Sequence, residues 1–295
     1  GVGSQLEVAE RDFTRWTGIS DKVDGIFKYT SGSSGLKHFK IFSDRLYTRN
    51  ILSASYSRIT DNTDTLDNSY VPSVVGRNRF MNNSYSYTGL LNYKINATNT
   101  VRTGVIASIH SFDLDSYHYD FSVGALSKYL EASGNTGKFQ AYVQWKKQMT
   151  GKWHVNTGIN STYFALRDSW TAEPRMGSTY QASERAVWSF GAGLHSRVEP
   201  LAFYYATKEV AGGGQSVSNR HLELTKALHA VLGYEYQFND DLGLKLEGYY
   251  QHLYDVPVVN DPSSNFSSIN FENIYSIFVN RYGYMTNAGK GRNYG

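Results

Sequence analysis

The amino-acid sequence predicts an all-β protein that forms part of an antiparallel transmembrane β-barrel. Three observations support this fold class: long segments in which apolar and polar side chains alternate, short turns that alternate with longer polar connections, and 24 Tyr and 15 Phe among 295 residues. A period of two is that of a β-strand. Strands that cross a bilayer need about nine to eleven residues, and aromatic girdles mark both interfaces of outer-membrane barrels.

Composition narrows the class of protein further. The sequence has no run of about eighteen apolar residues, which a transmembrane helix would need. A mean hydropathy of -0.46 fits a barrel, because only alternate residues meet lipid. Zero Cys excludes disulfide scaffolds and thiol nucleophiles, and a dispersed net charge of +3 gives no reason to expect a nucleic-acid partner. The opening GVGSQLEVAE lacks the features of a secretory signal.

The first part of the chain, residues 1–83, is expected to contain loosely placed strands and loops. Alternation is weak over 2–13, and 14–44 is polar with a Ser/Gly cluster, which predicts a long connection. Residues 46–57 predict a strand. The stretch 59–83 is rich in turn-forming residues and gives no clear element.

Regular hairpins are expected over residues 84–295, within the same barrel domain. The first hairpin places apolar residues at every second position of 85–95 and 101–109, and a polar connection follows over 113–136. The next strands are predicted at 139–145 and 153–165. The residues expected on the outer face of the first hairpin are Tyr85, Tyr87, Leu91, Tyr93, Val101, Val105 and Ile109.

The remaining strands continue this pattern. Residues 174–181 and 188–194 form a predicted hairpin, and the longest connection of the chain follows over 196–225. Residues 227–238 and 242–251 alternate most clearly, with Leu, Ala, Tyr and Phe on one face and His, Glu, Lys and Gln on the other. This last hairpin predicts one lipid-facing side and one side that faces a watery lumen.

The spacing of the turns predicts how the strands are arranged. Tight turns at 96–100, 148–152, 182–185 and 239–241 alternate with longer connections, which indicates short periplasmic turns and long extracellular loops. Trp145 and Trp153 flank one tight turn on the apolar face, as in an interfacial belt. We count about eleven strands, roughly half of the 22 in a plugged outer-membrane transporter. The chain is therefore expected to be an internal fragment without a plug domain or the final strands.

Nine short motifs carry a resemblance to a known family. Over about residues 78–295 the chain resembles the carboxy-terminal barrel portion of TonB-dependent outer-membrane receptors. The matching motifs are NRFM at 78–81, YFAL at 163–166, EPRMG at 173–177, GLHS at 193–196, EPL at 199–201, LTK at 224–226, LGY at 232–234, QHLYDVP at 251–257 and GKGRNYG at 289–295. The first seventy-odd residues match only loosely.

The resemblance implies a transporter of the bacterial outer membrane rather than an enzyme, without a cofactor. Such a receptor imports a nutrient ligand, namely a siderophore, vitamin, peptide or oligosaccharide. Its partners would be outer-membrane lipid, the plug domain of the same full-length protein, and TonB, which would be contacted through the missing N-terminal part. Two alternatives remain: a passive porin or barrel adhesin, and a soluble β-sandwich binding module.

Two sets of side chains are candidates for function. Rigid aromatic faces suit sugars, peptides and chelates, although such rings also pack loops and anchor girdles. The candidate ligand-binding residues of the extracellular loops are Tyr117, Tyr119, Trp170, Phe203, Tyr204 and Tyr205. The polar residues expected to face the lumen are Arg175, His195, His229, Glu235, Lys245 and Glu247.

No metal site or catalytic site is expected. His154, His195, His229 and His252 are assigned to the lumen face, and no HExxH motif is present. The acidic segment around Asp113 lacks the glycine of a calcium-binding loop, since His118 occupies that position. Ser196, Asp168 and His195 do not belong to a recognised nucleophile elbow.

Overall fold

The computed structural model describes residues 1–120, 124–210, 214–217, 219–260, 264, 266–270 and 284–295. Fourteen strands run through this part of the chain. They are β1 (Val2–Glu7), β2 (Val23–Ser43), β3 (Leu46–Leu66), β4 (Pro72–Lys94), β5 (Asn99–Asp120), β6 (Ala125–Gln148), β7 (Trp153–Phe164), β8 (Ser169–Gln181), β9 (Ala186–Arg197), β10 (Thr207–Val210), β11 (Gly214–Val217), β12 (Thr225–Gln237), β13 (Gly243–Val259) and β14 (Met285–Tyr294).

Twelve of these strands form one antiparallel sheet in the order β1 to β9, then β12, β13 and β14. β10 and β11 pair only with each other, as a hairpin inside the connection between β9 and β12. That connection also contains the one-turn helix α1 (Leu201–Tyr205). Three 3-10 helices complete the elements, at Phe13–Arg15, Ile19–Lys22 and Ser268–Asn270. The predicted fold class, a partial antiparallel barrel, is confirmed.

No helix in the described part of the chain has the length and apolar character needed to cross a membrane.

The sheet has two distinct ends. At the end that we call the turn end, strands are joined at 44–45, 95–98, 149–152, 182–185 and 238–242. At the opposite, loop end they are joined at 67–71, 121–124, 165–168, 198–224 and 260–284. Asn96, Thr150 and Asn239 close three of the turns with side-chain hydrogen bonds to backbone amides two or three residues ahead. Such local bonds are typical of tight turns.

Aromatic side chains form two belts across one face of the sheet, which we call the outer face. The belt near the turn end consists of the directly paired residues Trp153, Tyr180, Trp188 and Tyr234. The belt near the loop end consists of Phe139, Tyr163 and Trp170. From residue 153 to residue 163, β7 advances about 33 Å, and a tilt of about 40° reduces this to the roughly 25 Å apolar band of outer-membrane barrels.

Strands β2 to β6 are much longer than the sequence predicts. β2 to β6 contain 21 to 24 residues each, about twice the length that crosses a bilayer. The stretches 14–44, 59–83 and 113–136 therefore lie largely in paired strands. The expectation of long connections over 14–44 and 113–136 is wrong, and 59–83, to which no clear element was assigned, is strand as well. Beyond the loop-end belt the outer face carries mostly polar side chains, while Phe112 and Leu130 are buried on the inner face. The lipid-facing apolar alternation therefore ends although backbone pairing continues.

The inner face, which carries Ser108 and Thr162, holds a hydrophobic cluster at the loop end. Phe112 and Phe164 project from β5 and β7 and contact the rings of Tyr205 and Tyr204, with ring centroids 5.1 Å and 5.4 Å apart. Phe80, Leu130 and Leu222 belong to the same buried cluster. The connection between β9 and β12 is thus folded inward over the sheet.

Because His118 is buried, we predict that the stability of the loop end depends on pH. It lies in β5 beyond the loop-end belt, and burial lowers its pKa, while the Asp61 carboxylate opposes part of this shift. The folded state then binds a proton less readily than the unfolded state. The contribution of neutral His118 to the stability of the folded state is present above its ordinary pKa of about 6.5. This contribution is lost as the pH falls through the pKa of His118 in the folded state.

We expect amide hydrogen exchange in residues 113–118, corrected for the intrinsic rate, to be faster at pH 5 than at pH 7.5. His118→Phe should remove this difference, whereas His38→Phe, on exposed β2, should retain it. Equal protection of the native segment at both pH values would contradict the prediction.

Candidate functional site

The inner face between β6 and β13 is lined by polar side chains, and a buried carboxylate is at its centre. Glu173 on β8 is only 1% exposed. Its oxygens accept hydrogen bonds from five side chains on three adjacent strands. The donors are Asn160 Nδ2 at 3.1 Å, Thr162 Oγ1 at 3.2 Å, Thr171 Oγ1 at 3.2 Å, Arg175 Nη2 at 2.5 Å, and Ser196 Oγ. A buried charge is tolerated only when it is paired and hydrogen-bonded in this way.

Glu173 also orients Arg175. One guanidinium nitrogen is held by the buried carboxylate, while the side chain remains 45% exposed. Arg175 borders a concavity of about 510 Å³ on the sheet. Its polar lining includes Gln140, Gln144, Asn156 and Asn160. The arrangement presents one fixed cation among neutral amides, which suits hydrogen-bond acceptors and anions.

Several polar atoms on the inner face are buried without a hydrogen-bond partner in the described residues, among them Arg49 Nε, His154 Nδ1 and Asn156 Oδ1. Leaving such groups unpaired costs about 1–3 kcal/mol each. These atoms are enclosed by the wall itself.

The other residues expected to face the lumen lie on β9, β12 and β13. The His195 and His229 rings are 4.5 Å apart, and Gln251 Nε2 lies 3.0 Å from His229 Nδ1. Glu235 and Lys245 are directly paired, with carboxylate and ammonium 3.1 Å apart. Glu247 lies opposite Gly233 on the same face.

His252 occupies the other face. It pairs with the exposed Leu228 and stacks on Tyr254, 6.1 Å between centroids, so its assignment to the lumen side is wrong. Every second residue of a strand faces the same side, and residue 252 lies an even number of positions from Leu246 and Tyr250, which face outward. In the described residues no three His, Asp or Glu side chains lie close enough together to hold a metal ion.

The inward-folded connection between β9 and β12 is tied down at several points. Glu199, 2% exposed, accepts two hydrogen bonds of 3.1 Å from Arg197 Nη2 and one from Thr225 Oγ1. Arg167 donates to the His221 carbonyl at 2.9 Å and to Glu223 at 2.7 Å. These contacts fasten both ends of the connection to the sheet.

Three of the aromatic candidates for ligand binding lie within this connection. Phe203 and Tyr204 are 1% and 0% exposed, so their assignment to a ligand surface is wrong, because they fill the space over the inner face. Burial also raises the pKa of Tyr204. Tyr205 is buried too, and the Arg220 guanidinium lies 4.8 Å from its ring centroid. These rings pack the loop, which was the alternative considered for them.

The remaining aromatic candidates belong to strands rather than loops. Trp170 is 70% exposed on the outer face and pairs with Tyr163, so it is part of the loop-end belt and not of a ligand site. Tyr117 and Tyr119 lie near the loop end of β5 and are half-buried. Lys128 lies 5.8 Å from the Tyr117 ring centroid.

Comparisons with known proteins were made on sequence and on structure. No family model matches the chain, and no curated protein matches it in sequence. Among solved structures, the copper transporter OprC matches with a TM-score of 0.62 and 16% identity over 92% of this chain and 43% of that chain. The ferric enterobactin receptor PfeA of Pseudomonas aeruginosa matches with a TM-score of 0.60 and 13% identity over 93% of this chain and 40% of that one.

The RagAB peptide importer is similar as well, with a TM-score of 0.59 and 10% identity over 92% of this chain and 33% of that chain. The chain has the antiparallel β-barrel fold of these proteins. The chain spans less than half the length of each of these structures. In a receptor barrel the turn end is periplasmic and the loop end is extracellular.

Two features of the structure were not found from the sequence. The resemblance motif at 173–177 includes Glu173, but its role as acceptor for three strands depends on residues distant in sequence. The inward-folded segment had one available signal. Residues 201–205 (LAFYY) are apolar without alternation, which argues against a strand between lipid and water and for a fully buried segment.

Removing an aromatic anchor should release the inward-folded connection. We expect Tyr204→Ala to destabilise its packing by about 3–5 kcal/mol, the usual cost of truncating a buried aromatic ring. Limited proteolysis of the full-length protein should then cleave within residues 198–224. Trp170→Ala, which truncates an exposed ring, is the matched control and should leave this connection resistant. Equal resistance of both variants would contradict the prediction.

Removing the buried carboxylate should weaken the barrel wall itself. Glu173→Ala leaves Arg175 and several hydroxyl groups without their acceptor, and breaking a buried pair costs about 3–5 kcal/mol. The temperature at which the folded barrel unfolds on a heat-modifiability gel should fall. Glu247→Ala, at an exposed position of the same face, should change it little. A similar fall for both variants would show that Glu173 has no special role.

Proposed function

We propose that the chain forms part of the barrel wall of a TonB-dependent outer-membrane receptor that imports a nutrient ligand. The observation that carries this proposal is the separation of the two faces. The outer face has two aromatic belts at bilayer spacing, and the inner face has a polar wall centred on the buried Glu173. Likeness to a copper transporter, a siderophore receptor and a peptide importer supports the general class of transporter.

Likeness to a siderophore receptor and a peptide importer favours a plugged receptor over a passive porin. A plug domain of the full-length protein would cover exposed polar side chains of the inner face, such as Glu247. TonB would act on that plug, through a part of the protein outside these residues. The ligand class, whether a siderophore, vitamin, peptide or oligosaccharide, would be set at the extracellular loop end.

Thiol labelling tests for the plug, because the chain contains no Cys. Glu247→Cys, at an exposed inner-face position, should be protected from a small water-soluble maleimide in the full-length protein in isolated outer membranes. Deleting the region upstream of the barrel should expose it to rapid labelling. Ser69→Cys, in the exposed loop-end connection 67–71, should label in both forms.

A porin would show rapid labelling of Glu247→Cys in the full-length protein, which would overturn the proposal. Recovery of the protein from the soluble fraction would indicate the β-sandwich alternative. Uptake of the ligand, once it is known, should stop in cells that lack TonB.

A further inference from the structure

The outer face of β2 to β6 carries a groove that the barrel architecture does not require. Its volume is about 620 Å³. Ser34, Ala54 and Ala107 give small side chains at its floor. Its walls are formed by the apolar or aromatic side chains of Leu36, Leu52, Tyr85, Tyr87, Ile109 and Phe139.

The groove is held open by two rings that lie flat over glycines. Tyr87 leans over Gly89, where a Cβ would lie 2.7 Å from its hydroxyl oxygen, and donates to Asn50 Oδ1 at 2.8 Å. Phe139 leans over Gly137, where a Cβ would lie 2.7 Å from the ring. The two rings point away from Ala107, which pairs with Tyr87 and Phe139 and is left uncovered between them.

Two cations lie on the same face, toward the loop end. Arg58 is four positions beyond Ala54 on β3, about 13 Å along the strand. It pairs with Thr30, and Lys28 is two positions away on β2, so the two cations are diagonal neighbours. Both are exposed, and among the described residues neither forms an ion pair. By contrast, the neighbouring Arg79 is neutralised by Asp113 and Asp115.

We infer that this surface binds a phosphorylated lipid of the surrounding leaflet, with an acyl chain in the groove and a phosphate at Lys28 and Arg58. An apolar groove below a pair of free cations complements an anionic amphiphile in both shape and charge. The cations lie on the loop-end side of the groove, where the headgroup region begins. The inference rests on the outer-membrane placement proposed above.

The test uses the full-length protein purified in detergent, with lipid A as the probe and native mass spectrometry to count bound lipid. The unmodified protein should retain one lipid A molecule, and dephosphorylated lipid A should bind at least tenfold more weakly. Ala107→Trp fills the groove and should reduce lipid A binding at least tenfold. Lys28→Ser combined with Arg58→Gln should reduce it similarly and abolish the preference for the phosphorylated form.

Two matched controls separate this surface from the rest of the outer face. Ala192→Trp adds the same ring at an outward position of β9, between Met176 and Ala230. Lys147→Gln removes an outward cation that lies 5.5 Å from the Trp145 ring centroid, near the turn end. Both should bind lipid A within twofold of the unmodified protein.

Equal binding in all variants would overturn the lipid site while leaving the receptor proposal intact. An equal loss in the control variants would also overturn it, because binding would then reflect the whole apolar band. Recovery of the full-length protein in a cell fraction other than the outer membrane would overturn the proposed function, and the lipid site with it.

Discussion

The pairing of backbone amides and carbonyls across the long strands is the constraint on which the rest of this structure depends. Inside a bilayer no water is present to satisfy these groups, so each strand must be bonded on both sides. The twelve-stranded antiparallel sheet does this for most of the length of its internal strands, although β8 pairs with β9 only over residues 175–181. Once the backbone is satisfied, the side chains of the two faces are free to meet opposite environments.

The two faces are used very differently. The outer face is apolar only between the aromatic belts, and its features there are shallow and local, such as the groove around Ala107. On the inner face, polar groups are concentrated around Glu173, whose oxygens bind donors on β7, β8 and β9. Hydrogen bonds of a buried carboxylate link three strands, in addition to the backbone ladder.

At the loop end, long strands stand beside a connection that folds inward. β2 to β6 continue well past the loop-end belt, while β7 to β9 and β12 have 12 or 13 residues. The connection after β9 folds inward beside the tall strands, and Tyr204 and Tyr205 pack against Phe164 and Phe112. Aromatic residues that look suited to a ligand therefore serve to hold this connection in place.

The sequence by itself determined the fold class, the tight turns and the faces of the regular hairpins. These features are local, because lipid on one side and water on the other impose a period of two on residues such as Leu228 to Tyr234. The sequence did not reveal the loop-end halves of β2 to β6, because their outer face no longer meets lipid and carries mostly polar side chains there.

Only the tertiary structure decided the role of Glu173, the burial of Phe203 and Tyr204, and the position of Lys28 and Arg58 beside an apolar groove. Each of these depends on which residue lies opposite on a neighbouring strand or under a folded connection. That information lies in strand register and in contacts between distant segments, and no local pattern of side chains encodes it.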